Sequence, residues 1–350
     1  MKLVKLSLAA IVAAGALTSV ASATSLEEAI KNVDVTGYAR YRFDSKDSSV
    51  DTANKHRFTS DVNFKAALDD NFFGVLGFRY DSIDNSGERF DARTKVGVND
   101  MGNDSFGQTF NVRQVYLGYT AGNTTITAGR QVLGTFFTDD MVGTGIKLLN
   151  SDISGLTLAA VAFDNLQNDG DIGTSGLELG SNNNEYVYDR NLYGVAAIGS
   201  YDPVSFQLWY AALDSVAQLY AADVTVSANL GDVDLSLQAQ VAGSSMWADN
   251  AGLGVDTVTL DDATFWAAEL GAKAFGFDGS VGYIQFDTDS NSLISFEDQG
   301  SFIDAGEDLL NYTVFAGDNK YWFVTAGYTF ADKVRVGADY VAGEGSNGVT

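Results

Sequence analysis

The chain has 350 residues with one proline, no cysteine and a formal net charge of −25. The lack of cysteine excludes a disulfide framework and thiol catalysis, and the acidity argues against nucleic acid as a partner. Mean hydropathy is −0.02, which by itself is typical of a soluble secreted protein. The pattern of strands therefore has to decide the class of protein.

The first 23 residues have the layout of a secretory signal peptide. Lys2 and Lys5 precede an apolar run from Leu6, and Ala21-Ser22-Ala23 forms an Ala-x-Ala cleavage site. The run is too short for a transmembrane anchor, and no other stretch approaches the roughly 18 apolar residues that a spanning helix needs. We expect residues 1–23 to be removed on export, leaving residues 24–350 as one barrel domain in the bacterial outer membrane.

Apolar and polar residues alternate through the mature chain with the period of a β-strand. The pattern runs over Val35–Phe43, Arg57–Ala66, Ala222–Leu230, Val233–Val241 and Val334–Tyr340. Strands of about ten residues with one apolar and one polar face are typical of a sheet with lipid on one side and water on the other. A soluble β-sandwich also alternates, so the lengths of the connections have to separate the two.

Short turns and long polar loops alternate along the chain. The short turns fall at 68–71, 121–122, 150–154, 202–204, 231–232, 274–275 and 331–332. The long loops cover 44–55, 81–108, 132–141, 164–189, 243–261 and 287–319. This order predicts an all-β, transmembrane up-and-down antiparallel β-barrel, because a Greek-key sandwich would scramble it.

The turns delimit about fifteen strands, although bacterial single-chain barrels have an even number. The last strand, from Val334, would run outward and stop in a loop-like Gly-rich stretch, leaving two sheet edges unpaired in lipid. We therefore expect the sequence to be a fragment that lacks C-terminal strands.

The stretch Phe110–Lys147 is predicted to narrow the channel. It contains strands at Asn111–Thr120 and Asn123–Gln131, then a ten-residue acidic segment, then a strand from Val142. We expect the segment to fold inward as a constriction. The predicted pore-lining residues are basic except for one in this segment: Arg40, Arg42, Arg57, Lys65, Arg79, Arg113, Arg130 and Asp139.

Basic walls facing acidic loops would create a transverse field that filters hydrated solutes. The alternative is that these are ordinary solvated charges of a polar interior. No enzyme is expected: His56 is the sole histidine and is read as a surface or rim residue, and nucleophile-elbow and phosphate-loop motifs are absent.

Long runs of the chain resemble the Campylobacter major outer membrane protein family. They include SLEEAIKNVDVTGYARYR, VRQVYLGYT, VGTGIKLLNSDISGLTLAAVAFD, NLYGVAAIGSYD and GYTFADKVRVGADYV. The resemblance covers essentially the whole chain. It implies a homotrimeric general porin with eighteen strands in the complete chain.

The resemblance also implies one calcium ion per protomer in the constriction and no organic cofactor. The implied ligands are Asp140, Asp169 or Asp171, and Glu297. Oxygen donors without thiol or imidazole suit a hard cation. The segment before VGTG is shorter here than in the family, so Asp139 is a candidate beside Asp140.

The sequence therefore predicts an outer-membrane porin that passes ions and small hydrophilic solutes by diffusion, with a preference for cations. Its expected partners are lipid, lipopolysaccharide, the transported solutes and host surface ligands. One alternative is a surface adhesin or envelope-anchoring barrel without an open pore. Another is a solute-specific channel.

Overall fold

The computed structural model describes residues 33–47, 52–85, 92–96, 106–168, 171–174, 186–247, 260–294, 300–304, 317–331 and 333–345. They form two compact units, one ending at Gln131 and the other beginning at Val132. The expected signal peptide lies outside the described residues. Within these ranges, no helix is long and apolar enough to cross a membrane.

The first unit is an antiparallel sheet in the order β1-β2-β3-β5-β6, with β4 parallel along β5. The last residue of β6 already belongs to the second unit. The strands are β1 (Asp34–Asp47), β2 (Thr52–Ala67), β3 (Phe72–Asn85), β4 (Ala92–Val96), β5 (Phe106–Ala121) and β6 (Thr124–Val132).

The second unit is an antiparallel sheet in the order β7-β8-β9-β10-β11-β12-β14-β15-β17-β18. Its strands are β7 (Val142–Asn150), β8 (Leu156–Leu166), β9 (Leu192–Tyr201), β10 (Val204–Leu213), β11 (Ala217–Asn229), β12 (Val233–Met246), β13 (Leu260–Asp261), β14 (Ala263–Ala274), β15 (Phe277–Thr288), β16 (Asn291–Ser292), β17 (Gly317–Phe330) and β18 (Val334–Gly345). Strands β13 and β16 form a separate parallel pair, and 3-10 turns cover Asp171–Gly173 and Val187–Asp189.

The predicted strand count is confirmed for the described residues, with five strands on the main path of the first unit and ten on that of the second. The predicted hairpin is also confirmed: β5 and β6 turn at Gly122, whose φ of +59° lies in the left-handed region that glycine adopts readily. Strand β5 begins at Phe106, earlier than predicted, and so takes in the end of the expected 81–108 loop.

Alternation along the strands separates an exposed apolar face from a covered face. Val241 of β12 is 54% exposed and pairs with Trp266 of β14, which is 44% exposed. One residue further along β12 and β14, Ala242 and Phe265 pair with each other and are 1% exposed. Large apolar side chains on the outward face are what a sheet in contact with lipid requires.

The covered face differs from the polar face that the sequence predicted. In β8 to β11 it carries a buried apolar core that includes Val161, Phe163, Trp209 and Leu219. Loop segments of the same unit lie on this core and remove it from water. Burial of apolar area at roughly 25 cal/mol per Å² stabilises this arrangement, so the loops and the wall are one packed structure.

Candidate pore-lining site

The acidic segment between β6 and β7 folds onto the covered face of the second unit. Its ends are joined by a hydrogen bond of 2.9 Å from Leu133 N to the Met141 carbonyl. Phe136 and Phe137 are buried in the core, and the hydroxyls of Thr135 and Thr138 are 2.9 Å apart. The apolar side chains anchor the segment, while Asp139 is exposed and Asp140 half-buried.

A second segment, Gly300–Asp304, packs on the first. Ser301 N donates to the Phe136 carbonyl at 2.8 Å. The Phe302 ring meets the Phe136 ring edge to face at 4.8 Å and the Phe265 ring of β14 at 5.1 Å. Aromatic pairs in this geometry contribute about 0.5–1.5 kcal/mol beyond their area burial. Phe302 therefore joins the acidic segment to the wall.

The 3-10 turn at Asp171–Gly173 contacts the acidic segment. The Asp171 carboxylate accepts a hydrogen bond of 2.9 Å from Asp139 N. Thr174 closes the turn by donating its N–H and its hydroxyl to the Asp171 carbonyl. Three loop segments thus converge on one face of the second unit, and the acidic segment lies among them.

Lys147 of β7 fixes the base of the acidic segment. Its side chain is 8% exposed, and its Nζ donates a hydrogen bond of 2.7 Å to the Val132 carbonyl. A charge-assisted bond to a backbone carbonyl is among the stronger hydrogen bonds that a buried lysine makes. Lys147 thereby holds the point where the chain leaves β6 for the segment.

In the first unit, Arg113 and Arg79 share a partly buried network with two carboxylates. The register slips by one residue opposite Gly77 and Phe78, which leaves Arg113 as the extra residue of a β-bulge. Bulges re-aim side chains, and Arg113 Nη1 lies 2.7 Å from Asp61 Oδ2. Arg79 Nε donates to Asp81 Oδ2 at 2.9 Å, so these two arginines are charge-neutralised.

The other predicted basic residues take separate positions. In the register Arg40 lies opposite Thr59, while Arg42 and Arg57 lie directly opposite each other. Directly opposed residues of an antiparallel pair share a face, so Arg40, Arg42 and Arg57 lie on the face that carries Thr59. Lys65 Nζ lies 4.3 Å from the centre of the Phe73 ring, and Arg130 is half-buried opposite Val115.

His56 is a surface residue of β2. It is exposed, its Nδ1 lies 2.6 Å from the Tyr41 hydroxyl, and its ring lies 4.8 Å from that of Phe43. These contacts are those of an exposed imidazole beside two aromatic rings.

The predicted calcium ligands are only partly described. Asp140 lies in the acidic segment, and Asp171 is 4% exposed with its carboxylate on Asp139 N. Asp169 and Glu297 lie outside the described residues. Among the residues that are described, no three acidic, histidine or cysteine side chains are grouped to hold a metal ion.

Several residues of these sites were not singled out in the sequence. Asp61 was expected only as a polar member of an alternating strand and Asp81 as the first residue of a long loop, yet they neutralise the arginines. In the register they lie opposite Arg79 and Thr59, a pairing that the period of a single strand does not encode. Phe302 and Ser301 lay inside a predicted long loop, and no local pattern shows which loop residues pack inward.

A protein-family model described as the Campylobacter major outer membrane protein matches residues 1–350. Comparison with curated proteins gives no significant match. Among solved structures, the chain is similar to Pseudomonas aeruginosa OccK9 (OpdG), with 12% identity, a TM-score of 0.66, and coverage of 90% of this chain and 84% of that one.

Two further structures have the same degree of likeness. Pseudomonas aeruginosa OccK2 (OpdF), solved in complex with glucuronate, is 14% identical with a TM-score of 0.66 over 89% of this chain and 81% of that one. Acinetobacter baumannii OccAB3 is 12% identical with a TM-score of 0.66 over 89% and 83%. At these identities the likeness concerns the fold.

Proposed function

The chain belongs to the Campylobacter major outer membrane protein family, and it is a porin of the bacterial outer membrane. We propose that it is a general diffusion porin with a preference for cations. Ions and small hydrophilic solutes are its substrates, and the acidic segment is its constriction. The family and the fold point to a channel and not to an enzyme.

The observation that carries the proposal is the position of the segment 133–141. It lies on the face of the sheet opposite to the exposed apolar side chains of β11, β12, β14 and β17. In an outer-membrane barrel the exposed apolar face contacts lipid, so the covered face lines the lumen. A segment that is anchored there by buried phenylalanines narrows the passage.

The charges support a cation preference. Asp139 is exposed on the segment and Asp140 is half-buried, so the segment brings negative charge to the proposed constriction. Two of the basic residues in the first unit, Arg79 and Arg113, are neutralised by Asp61 and Asp81. Residues that line the lumen decide selectivity more than total charge does.

We also propose that one calcium ion per protomer binds at the constriction, with Asp140, Asp169 and Glu297 as ligands. The contacts of neighbouring residues support this. Asp171, two residues after Asp169, binds Asp139 N, and Gly300, three residues after Glu297, packs on Phe136. Carboxylates from separate loops suit Ca²⁺, which would cross-link them and neutralise part of their charge.

The assembly that we propose is a homotrimer in lipid and lipopolysaccharide, as the family resemblance implies. Chemical cross-linking of the purified protein in detergent tests this. A ladder that ends at three chains agrees with the proposal, and a product that stays at one chain contradicts it.

The function is tested by reversal potentials of the purified protein in planar bilayers under a salt gradient, before and after calcium chelation. We expect cation-selective channels whose selectivity changes on chelation and returns when calcium is restored. Channels whose selectivity does not change on chelation would refute the proposed metal site and leave the porin function standing. Correctly folded protein without conductance would refute the pore and favour an adhesin.

A further inference from the structure

One buried glutamine ties the loops to the wall of the second unit. Gln240 of β12 is 3% exposed, and its Nε2 donates to the Ser301 carbonyl at 2.8 Å. Its Oε1 accepts from Ile303 N at 2.7 Å. A single side-chain amide therefore satisfies two backbone groups of a loop that lies more than sixty residues away along the chain.

The two loop contacts fix the orientation of that amide. The Ser301 carbonyl only accepts, so the Gln240 NH₂ group must face it, and the amide oxygen must then face Ile303 N. Asp223 lies directly opposite Gln240 in the register of β11 and β12. Gln240 therefore sets the register of the loop against the wall.

The acidic segment depends on the same attachment. Gly300 adopts a φ of +69°, and a Cβ there would lie 2.2 Å from the Phe136 carbonyl oxygen. Ser301 N donates to that carbonyl, and Phe302 fills the space between Phe136 and Phe265. The segment 300–303 is thus a layer between the wall and the acidic segment, and Gln240 is its polar anchor on the wall.

We infer that Gln240 acts as a clamp that sets the width of the channel by holding the segment 300–303, and through it the acidic segment, in the lumen. Gln240 is a positioning residue here, since it acts on solutes through the loops. The inference rests on the proposed porin function. It adds that the constriction is held by protein hydrogen bonds of its own, apart from any metal ion.

Gln240→Leu keeps the length and approximate volume of the side chain and removes both hydrogen bonds. The Ser301 carbonyl and Ile303 N–H would then be buried without partners, a state that proteins avoid. The loss of two buried hydrogen bonds shifts the equilibrium between docked and undocked loop by roughly tenfold or more toward the undocked form. An undocked layer opens the lumen.

The chain supplies a matched control on the same strand and face. Gln238, two residues before Gln240, donates to both oxygens of Asp223 at 3.1 Å. Gln238→Leu therefore perturbs the Asp223 carboxylate and the wall without removing the two bonds to the loop. Gly300→Ala displaces the same layer by a different route, through the close approach to the Phe136 carbonyl.

The experiment compares single-channel records in planar bilayers and the permeation of neutral sugars of graded size into liposomes. Heat-modifiable migration on gels verifies folding of each protein. For Q240L and G300A we expect a level of higher conductance, occupied roughly tenfold more often than in the parent, and passage of larger sugars. For Q238L we expect parental values.

The outcomes separate the clamp from the porin function. If Q240L and G300A have the conductance and sugar permeation of the parent, the clamp is overturned and the porin function stands. A Q238L protein as open as Q240L would also overturn it, because general damage to the wall would explain both. A parent protein without channels would refute the porin function itself.

Discussion

The ion pair between Arg113 and Asp61 provides the sharpest test of the first unit. The two side chains are 5% and 10% exposed, and Arg113 Nη1 lies 2.7 Å from Asp61 Oδ2. Asp61→Ala would leave a buried guanidinium without this carboxylate, and breaking such a pair costs about 3–5 kcal/mol. Arg79 lies 3.7 Å from the same oxygen and would lose a weaker contact.

The free energy of unfolding is measured by urea titration in lipid vesicles, with tryptophan fluorescence as the signal. The exposed pair of Asp318 and Lys320 is the matched control, since its side chains are 42% and 45% exposed. Water screens exposed pairs, which contribute little to stability, so we expect Asp318→Ala to have a small effect.

The double variant Asp61→Leu with Arg113→Met provides a second comparison. It removes both charges, and replacing a buried ion pair by apolar residues is often nearly neutral. We therefore expect it to be more stable than Asp61→Ala alone. The reasoning would be refuted if Asp61→Ala cost no more than Asp318→Ala, because the network would then behave as a solvated surface pair.

Three other predictions concern single groups. Phe302→Ala should cost about 3–5 kcal/mol of stability by vesicle unfolding, because it leaves a cavity in the core; a cost under about 1 kcal/mol would contradict the packing. Asp278 and Arg335 form a partly exposed pair 2.6 Å apart, and a double-mutant cycle should give a coupling of about 1 kcal/mol or less; a much larger value would show a buried pair. At Asp69, two backbone N–H groups lower the carboxyl pKa. Its stabilising effect is therefore complete above the unfolded pKa and lost as pH falls through the lower folded pKa; Asp69→Asn should flatten this acid limb, and an unchanged pH profile would contradict it.

Much of the fold followed from local sequence patterns. The alternation in Val233–Val241 predicted that Leu237, Ala239 and Val241 of β12 lie on one face, where they are exposed, because successive residues of a strand point to opposite faces. The turn at Gly122 could also be predicted, because a glycine between two alternating runs fits a tight hairpin.

The candidate site was predictable only in outline. The acidic segment and its inward fold were expected from Asp139 and Asp140, whereas its anchors were not. Gln240 and Ser301 are 61 positions apart, and Asp61 and Arg113 are 52 apart. Contacts over such separations depend on strand register and loop docking, which the period of a single strand does not encode.

The most direct test of the central claim uses the absence of cysteine from the chain. Asp139→Cys places a single thiol on the acidic segment, and Leu237→Cys places one on the exposed apolar face as a control. The measurement is channel current before and after a cationic thiol reagent, with labelling confirmed by mass spectrometry. We predict a lower current and weaker cation preference for the labelled Asp139→Cys protein, and no change for Leu237→Cys. A labelled Asp139→Cys channel with unchanged current and selectivity would contradict a constriction formed by this segment.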